Sequence, residues 1–390
     1  MELLASRPRL PAITSIRFFA ALHVVIFHLH AIKVAAGPQW YQNFASIGYV
    51  GVSLFFVLSG FILVYTYGGR NTEASTFWRA RIARVYPAYL FSLIVTAPFF
   101  IYVIFFMPLV PGGNMDMFVW PKHHPLASAL LVPTLLQSWI PGAALAWNSV
   151  AWSLSVEAFF YLVFPAVIVF LLRKRNSTLM SLILACWALS LTITLGYTLL
   201  KPDGVAFFDD NSLGLTWLNV VKFNPLARLP EFLMGASCGF LFLRQSIDRK
   251  WATPLATAGL VGFVTVVAFS SRISYPVIHS GLLAPAFAAI IYGIALRPAW
   301  ARVLEFKPLV LLGDASYSLY LLHSVVLPMF FQPDFQHPKH YFIWQILLGV
   351  FIAIAVSVAV YLGIEEPLRR KLRPKRAMQP ELVSAVVAEA

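Results

Sequence analysis

Residues 46–68, SIGYVGVSLFFVLSGFILVYTYG, form an apolar stretch without a charged side chain. A helix needs about 20 consecutive apolar residues to cross a hydrocarbon core about 30 Å thick, so this stretch is long enough to span a bilayer. Nine other runs have similar length and composition. We therefore predict ten transmembrane spans, at residues 13–33, 46–68, 85–107, 150–172, 178–200, 226–243, 251–270, 278–296, 308–331 and 341–363.

The amino-acid composition requires the same environment. Of the 390 residues, 59% are hydrophobic and 12% are charged, against about a quarter charged in ordinary soluble domains. A water-soluble chain of this size has too little interior to bury 33 Phe, 15 Tyr and 11 Trp together with its aliphatic residues. The composition excludes a soluble enzyme, a disordered chain and a nucleic-acid-binding domain. It predicts an all-α polytopic membrane helix bundle in contact with lipid.

The positive charges indicate how the spans are oriented. The net charge is +13, but the basic residues form short clusters between apolar runs, which is typical of topology signals and of contact with anionic headgroups. One shorter run, residues 125–140, is interrupted by proline. If this run does not cross the membrane, 21 Lys and Arg residues fall on one side of the membrane and six on the other. The positive-inside rule then places both termini in the cytoplasm and makes this run a re-entrant or surface segment outside.

The chain shows no Pro-, Gly- or Ser-rich linker and no internal repeat. We therefore predict one transmembrane domain, residues 1–375, followed by a short cytoplasmic tail, residues 376–390. Cys186 and Cys238 lie inside apolar runs and are interpreted as buried thiols without a disulfide. The first span contains Arg17 and lacks a small-residue cleavage site after it, so we expect no removable signal peptide.

Ionisable side chains inside the predicted spans are the first candidates for function, because each costs at least about 2.5 kcal/mol to insert. They are Arg17, His23, His28, Glu157, Arg228, Glu231, Asp314 and His323. At a rise of about 1.5 Å per residue, we expect His28, Glu157 and His323 at similar depths, in a polar cluster in the outer half of the bundle. The alternatives are histidines that only pack and a structural ion pair between Glu157 and an intramembrane arginine.

Arg17, His28 and two surface arginines predict a binding site for an elongated substrate that carries a phosphate. Arg17 and His28 are eleven residues apart, close to three helical turns, so they project from one stripe about 16 Å apart. Arg81 and Arg84 share a helix face at the membrane surface, and guanidinium groups bind phosphate bidentately. A substrate with a phosphate at one end and a reactive group at the other fits this arrangement. Membrane orientation and lipid contact are the alternative roles of Arg81 and Arg84.

The sequence Gly235-Ala236-Ser237-Cys238-Gly239 matches the Gly-x-Ser-x-Gly nucleophile elbow. That motif requires a turn between a strand and a helix. Here it lies in an apolar run, where small residues favour close helix packing instead. The chain also has neither a phosphate-binding glycine loop nor a His-Glu-x-x-His zinc motif, and we expect no bound metal.

Seven motifs together resemble the membrane acyltransferase-3 family. They are SIRFFAALHVVIFH (15–28), GVSLFFVLSGFIL (51–63), Arg81-x-x-Arg84-x-Tyr86-Pro87, WSLSVEAFFYLVFP (152–165), RLPEFLMG (228–235), GDASYSLYLLH (313–323) and EEPLRR (365–370). In the first motif, ten residues separate Arg17 from His28. The resemblance covers about residues 10 to 373. The chain resembles those members of the family that have no fused extracytoplasmic SGNH-type domain.

The resemblance implies transfer of an acyl group, usually acetyl, from acetyl-CoA as co-substrate to a hydroxyl of an exopolysaccharide or cell-envelope sugar, at the bacterial inner membrane. Macrolide or lipid acceptors are the alternatives. It further implies that His28 is the catalytic base and that Arg17, Arg81 and Arg84 bind the donor. By the same resemblance, supporting catalytic residues are Glu157 and His323, and substrate-binding residues are Trp152, Ser153, Arg228 and Glu231.

Two other functions are compatible with the same residues. A proton-coupled transporter of a lipid-linked sugar would use Glu157 and the histidines as a proton relay, although many transporters are built from repeats that this chain lacks. A membrane assembly protein would keep the polar cluster for structure alone. Proton-driven flux without any acyl product would indicate the transporter. Substitution of His28 that lowers stability without loss of function would indicate the assembly protein.

Overall fold

The computed structural model describes residues 7–34, 37–108, 116–205, 214–331 and 341–374. These residues form helices joined by turns, and no β-strand occurs among them. The α-helices are α1 Pro11–Ala31, α2 Gln39–Ser46, α3 Val50–Tyr67, α4 Ala74–Phe105, α5 Asp116–His123, α6 Pro125–Leu131, α7 Trp152–Leu172, α8 Asn176–Leu200, α9 Thr216–Phe223, α10 Pro225–Leu243, α11 Ala252–Ala268, α12 Tyr275–His279, α13 Ala284–Ala295, α14 Lys307–Asp314, α15 Ser316–Phe330, α16 Ile343–Val360 and α17 Glu366–Leu372. Short 3₁₀ helices occupy Gln137–Trp139, Arg249–Trp251, Ser270–Arg272 and Ala299–Glu305, and a π-helical turn occupies Tyr361–Glu365.

Nine helical segments in the described ranges are long and apolar enough to cross a membrane. The pair α14 and α15, bent by 63° where the two helices meet, makes a tenth if it is counted as one span. These segments overlap the ten predicted runs, so the prediction of an all-α polytopic membrane bundle is confirmed. The predicted tail, residues 376–390, and the predicted domain end at residue 375 lie outside the described residues.

The short proline-interrupted run does not form a spanning helix. After the seven-residue α6, the chain passes between spanning helices. The Tyr89 hydroxyl of α4 donates to the Val132 carbonyl over 2.5 Å. Farther along, the Asn148 side-chain amide donates to the Leu321 carbonyl of α15 over 3.1 Å. Residues 132–151 therefore enter the bundle before α7 begins, and we call them the re-entrant segment.

Glycines bring α3 and α10 into close backbone contact. A Cβ atom on Gly235 would collide with the backbone oxygen of Val57, and one on Gly60 with the backbone oxygen of Phe232. Lipid gives two helices no hydrophobic reason to associate, so close packing of this kind supplies the attraction. Ser237, the centre of the Gly-x-Ser-x-Gly match, is fully buried in α10, in agreement with a packing role.

Basic clusters meet at one end of the bundle, which we call the basic end. Arg7 donates to the Gly68 carbonyl over 2.6 Å, so the segment before α1 lies beside the turn between α3 and α4. Arg244, after α10, donates to the Lys174 carbonyl over 2.6 Å, which joins it to the turn between α7 and α8. Loops that the charge pattern assigns to one side of the membrane therefore contact each other.

Gly235→Ala is expected to lower the melting temperature of the purified protein, because overpacking of this kind costs about 1–3 kcal/mol. Gly196→Ala is the matched control, since a Cβ atom there meets nothing within 4 Å. It should leave stability unchanged or raise it, because alanine is the better helix former by about 1 kcal/mol. Equal melting temperatures for the two variants would contradict the close approach of α3 and α10.

Arg175→Cys and Lys201→Cys test the orientation of the bundle, because they flank α8 and both positions are exposed. The positive-inside rule predicts that the basic end faces the cytoplasm. A membrane-impermeant maleimide should then label K201C in intact cells and R175C only after permeabilisation. The unsubstituted protein is the control, since its two cysteines are buried. Labelling of both variants from the same side would overturn this topology.

Candidate active site

A cavity of about 190 Å³ lies between α1, α3, α4, α7 and α15. Its wall contains three arginines and one carboxylate, from Arg17, Arg81, Arg84 and Glu157. Ser153 also lines the cavity, and apolar and aromatic side chains form most of the remaining wall. The structure therefore brings five of the ten predicted site residues to one cavity.

Arg84 is already paired with a carboxylate. Its guanidinium forms an ion pair with Glu365, which is fully buried at the end of the π-helical turn. The other carboxylate oxygen of Glu365 accepts a hydrogen bond from the Ser318 hydroxyl over 2.7 Å. Because π-helical turns displace the following side chains around the helix, this turn directs Glu365 into the bundle. The charge of Arg84 is thus balanced within the protein.

Arg81 is surrounded by aromatic rings. Its guanidinium donates to the Tyr67 hydroxyl over 3.1 Å and lies 5.5 Å from the centre of the same ring. The rings of Phe77 and Tyr161 lie 5.7 Å and 5.9 Å away. Cation–π contacts of this kind stabilise a guanidinium without neutralising its charge. Arg81 therefore keeps a positive charge at the cavity wall.

Arg17 has neither a hydrogen bond nor an ion pair to any residue in the part of the chain that the structure describes. It lies on α1, at the cavity, and is partly exposed. A guanidinium presents five donors in a planar fork that matches phosphate or carboxylate. Of the three cavity arginines, Arg17 is thus the one whose hydrogen-bonding capacity is uncommitted.

Glu157 lies among the arginines and apart from the histidines. Its carboxylate accepts hydrogen bonds from the Ser59 hydroxyl over 3.1 Å and from the Tyr161 hydroxyl. The expectation that Glu157 and the two histidines form one cluster is therefore not met. The depth count assumed that α7 starts at the membrane edge, whereas the re-entrant segment delivers the chain into the bundle first.

His28 and His323 form a direct pair. The His28 Nδ1 atom lies 3.2 Å from the His323 Nε2 atom, and the ring centres are 4.8 Å apart. Each ring also contacts a carbonyl one turn earlier in its own helix: His28 Nδ1 lies 2.9 Å from the Val24 oxygen and His323 Nδ1 3.1 Å from the Leu319 oxygen. The predicted proximity of these two histidines is thus found as contact.

The carbonyl partners assign the protons of the two neutral rings. A carbonyl oxygen only accepts, so the Nδ1 atom of His323 carries the proton and its Nε2 atom is an acceptor. The Val24 oxygen likewise only accepts, so His28 carries its proton on Nδ1, shared between that oxygen and the His323 Nε2 atom, and the His28 Nε2 atom is unprotonated. An unprotonated imidazole nitrogen is what general-base chemistry requires. His28 is also partly exposed, whereas His323 is fully buried.

The histidine pair lies beyond the cavity end. Phe55 and Tyr320 line the cavity, whereas neither histidine does within the described chain. His323 follows Tyr320 by three residues in α15, about 4.5 Å along the helix axis, and the two ring centres are 6.0 Å apart. Arg17 and His28 share one stripe of α1, as predicted, with the Phe55 and Tyr320 rings at a level between them.

Arg228 and Glu231 lie outside the cavity wall, in a separate buried network. Their side chains are 1% exposed and form an ion pair of 2.9 Å. Arg228 also donates to the Ser53 hydroxyl and to the His279 carbonyl, each over 2.8 Å. The Trp152 ring centre lies 6.0 Å from the guanidinium carbon. The network joins α10 to α3, one of the helices that line the cavity. Contact of Arg228, Glu231 or Trp152 with a substrate stays a prediction.

Glu365 and His279, which contact arginines of the predicted site, have no role among the sequence predictions. Both are ionisable residues near the ends of apolar runs, so a search that included span ends would have found them. His23, in contrast, packs: it is buried, with Nε2 2.7 Å from the Phe44 carbonyl oxygen. Within the described ranges, no group of three His, Cys, Asp or Glu is placed to hold a metal ion.

Comparisons with known proteins identify the family of this chain. The family model described as "Acyltransferase domain", that of the acyltransferase-3 family, matches residues 10–362. The O-acetyltransferase OatA of Staphylococcus aureus is 28% identical over 400 residues, which cover 95% of this chain and 59% of that protein. The acyltransferase MdmB of Streptomyces mycarofaciens is 30% identical over 333 residues, covering 82% of this chain and 79% of that protein.

The chain belongs to the acyltransferase-3 family of membrane proteins. The peptidoglycan O-acetyltransferase OatA of Listeria monocytogenes is also similar, with 25% identity over 393 residues, 94% of this chain and 56% of that protein. This chain thus spans less than two thirds of the length of the O-acetyltransferases that it matches. No solved structure matches it.

Arg84→Gln and Arg17→Gln are expected to differ in stability. Loss of Arg84 leaves Glu365 buried without its partner, and breaking a buried pair in this way costs about 3–5 kcal/mol. Loss of Arg17 breaks no hydrogen bond or ion pair among the described residues, so the melting temperature should be unchanged or higher. Thermal unfolding of the two purified variants measures this difference. Equal destabilisation would show that Arg17 is also held by the protein.

Proposed function

We propose that this chain is an O-acyltransferase of the bacterial inner membrane that transfers an acetyl group from acetyl-CoA to a hydroxyl of a cell-envelope or exopolysaccharide sugar. One arrangement carries the proposal. Arg17 presents an uncommitted guanidinium at the cavity, and His28, about 16 Å farther along the same helix stripe, has an unprotonated Nε2 atom. An elongated anionic donor needs a cation at one end and a base at the other.

The donor binds at the basic end in this proposal. Acetyl-CoA is made in the cytoplasm, which is the side that the positive-inside rule assigns to this end. Its phosphates meet Arg17 and the aromatic-surrounded Arg81, while Arg84 contributes charge that Glu365 already balances. The thin pantetheine arm extends through the cavity toward the histidines. Glu157, held by Ser59 and Tyr161, is the carboxylate of the cavity wall and offsets part of the positive charge of the arginines.

The transfer step uses His28 as general base. The His28 Nε2 atom takes the proton of the acceptor hydroxyl, and the oxygen attacks the thioester carbonyl carbon. The carbon–sulfur bond breaks, the sulfur leaves with its electron pair, and the proton passes from His28 to the thiolate. His323 accepts from the His28 Nδ1–H and so fixes the reactive tautomer, in the way that a third group orients the base in catalytic triads.

The acceptor class is the open part of the proposal. The names of two relatives, O-acetyltransferase and peptidoglycan O-acetyltransferase, favour a cell-envelope saccharide. A macrolide or a lipid is the alternative acceptor. A proton-coupled transporter is disfavoured, because its relay would have to join Glu157 to the histidines, and these groups bond to different partners.

His28→Ala is expected to lower the turnover of acetyl transfer at least about 100-fold, the usual contribution of a general base. His30→Ala, two residues away in α1, is the control and should retain activity. Mass spectrometry of envelope glycans from cells with the wild-type protein, each variant or no protein gives the readout. The wild type and H30A should add the mass of one acetyl group, and H28A should not.

Two results would contradict this assignment. Full acetylation with H28A would remove His28 from the chemistry. Identical glycans with and without the wild-type protein would exclude a saccharide acceptor, and extracts of lipids and small molecules from the same cells would then reveal the alternative acceptor.

A further inference from the structure

Two aromatic rings close the end of the cavity nearest the histidines. Phe55 of α3 and Tyr320 of α15 both line the cavity, with ring centres 6.1 Å apart and planes at 74°. Beyond Tyr320, one helical turn farther, lies His323 in contact with His28. A group that travels from the arginines to the histidine pair through this end of the cavity passes these rings.

The two rings differ in how they are held. The Tyr320 hydroxyl donates to the Val150 carbonyl over 2.9 Å and accepts from the Ser153 hydroxyl over 2.8 Å. Its ring is therefore fixed against the re-entrant segment and the start of α7. Phe55 has no polar atom and is half-buried, and only apolar contacts hold its ring, including those with the cluster that contains Ala21. Of the two rings, Phe55 is therefore the one that can move or be replaced by a smaller side chain without loss of a hydrogen bond.

Neighbouring side chains leave little room around Phe55. The next residue, Phe56, is 2% exposed and packs edge-on against Trp152 and Phe160. The Arg228 guanidinium lies 5.3 Å from the Phe56 ring centre. These contacts hold Phe56, which also lines the cavity, in place, and they leave Phe55 as the less constrained of the two rings.

We propose that the acyl group of the donor passes between Phe55 and Tyr320 to reach His28, and that the Phe55 ring sets the largest acyl group that is transferred. This inference rests on the proposed function, since it requires an acyl-CoA donor bound at the arginines. With phenylalanine at this position the passage admits a two-carbon acetyl group and excludes longer chains. A smaller side chain at position 55 allows longer acyl groups to be transferred.

The test compares acetyl-CoA with butyryl-CoA in membranes that contain the wild type, Phe55→Ala or Phe55→Leu. One methylene in an apolar pocket is worth about 10-fold or more in discrimination, so F55A should raise the ratio of butyryl to acetyl kcat/KM at least 10-fold. F55L should raise it less, and it also provides the measurement if F55A does not accumulate. Leu54→Ala, on the same helix but outside the cavity wall, should leave the ratio at the wild-type value.

The outcomes distinguish a failure of the role of Phe55 from a failure of the proposed function. Wild-type acetyl transfer with an unchanged ratio in both Phe55 variants would overturn the role of Phe55 and leave the proposed function standing. No transfer from either coenzyme A ester by the wild type would overturn the proposed function and the passage with it. A ratio that rises equally in L54A would also overturn the assignment, because general loosening of α3 would then explain it.

Discussion

An ion that leaves water for the interior of a membrane protein costs several kcal/mol unless it finds a partner, and the interior of this bundle is organised around that cost. Arg84 and Glu365 join α4 to the end of the last long helix, and Arg228 and Glu231 form a pair within α10. Each pair places its charges away from lipid. Of the three cavity arginines, Arg17 has neither a hydrogen bond nor an ion pair in the described chain, and it lines the cavity.

The site is built from three layers along one axis. Arginines and Glu157 form the layer nearest the basic end, the rings of Phe55 and Tyr320 form the next, and the histidine pair forms the last. Neighbouring layers share helices, so movement of α15 would shift Tyr320 together with the histidine. The re-entrant segment supports the middle layer through its bond to Tyr320.

Features that depend on one helix could be predicted from the sequence. The length of each apolar run determined the spans, and helix periodicity placed Arg17 and His28 on one stripe. Features that depend on contacts between helices could not. The partner of Arg84 lies 281 residues away in the chain, and the depth of Glu157 depends on a re-entrant segment whose path no periodicity indicates. Backbone contacts at Gly235 and Gly60 set which helix faces meet, and these contacts are tertiary.

The π-helical turn at Tyr361–Glu365 carries one residue more than an ordinary α-helical turn, and Glu365 reaches Arg84 because of it. Removing a single residue here would rotate everything downstream by about 100°. The carboxylate would then point away from Arg84, and the cation on α4 would lose its counter-charge. The length of this turn is therefore as tightly constrained as the identity of any side chain in the cavity, and insertions or deletions there should be tolerated far less than conservative replacements.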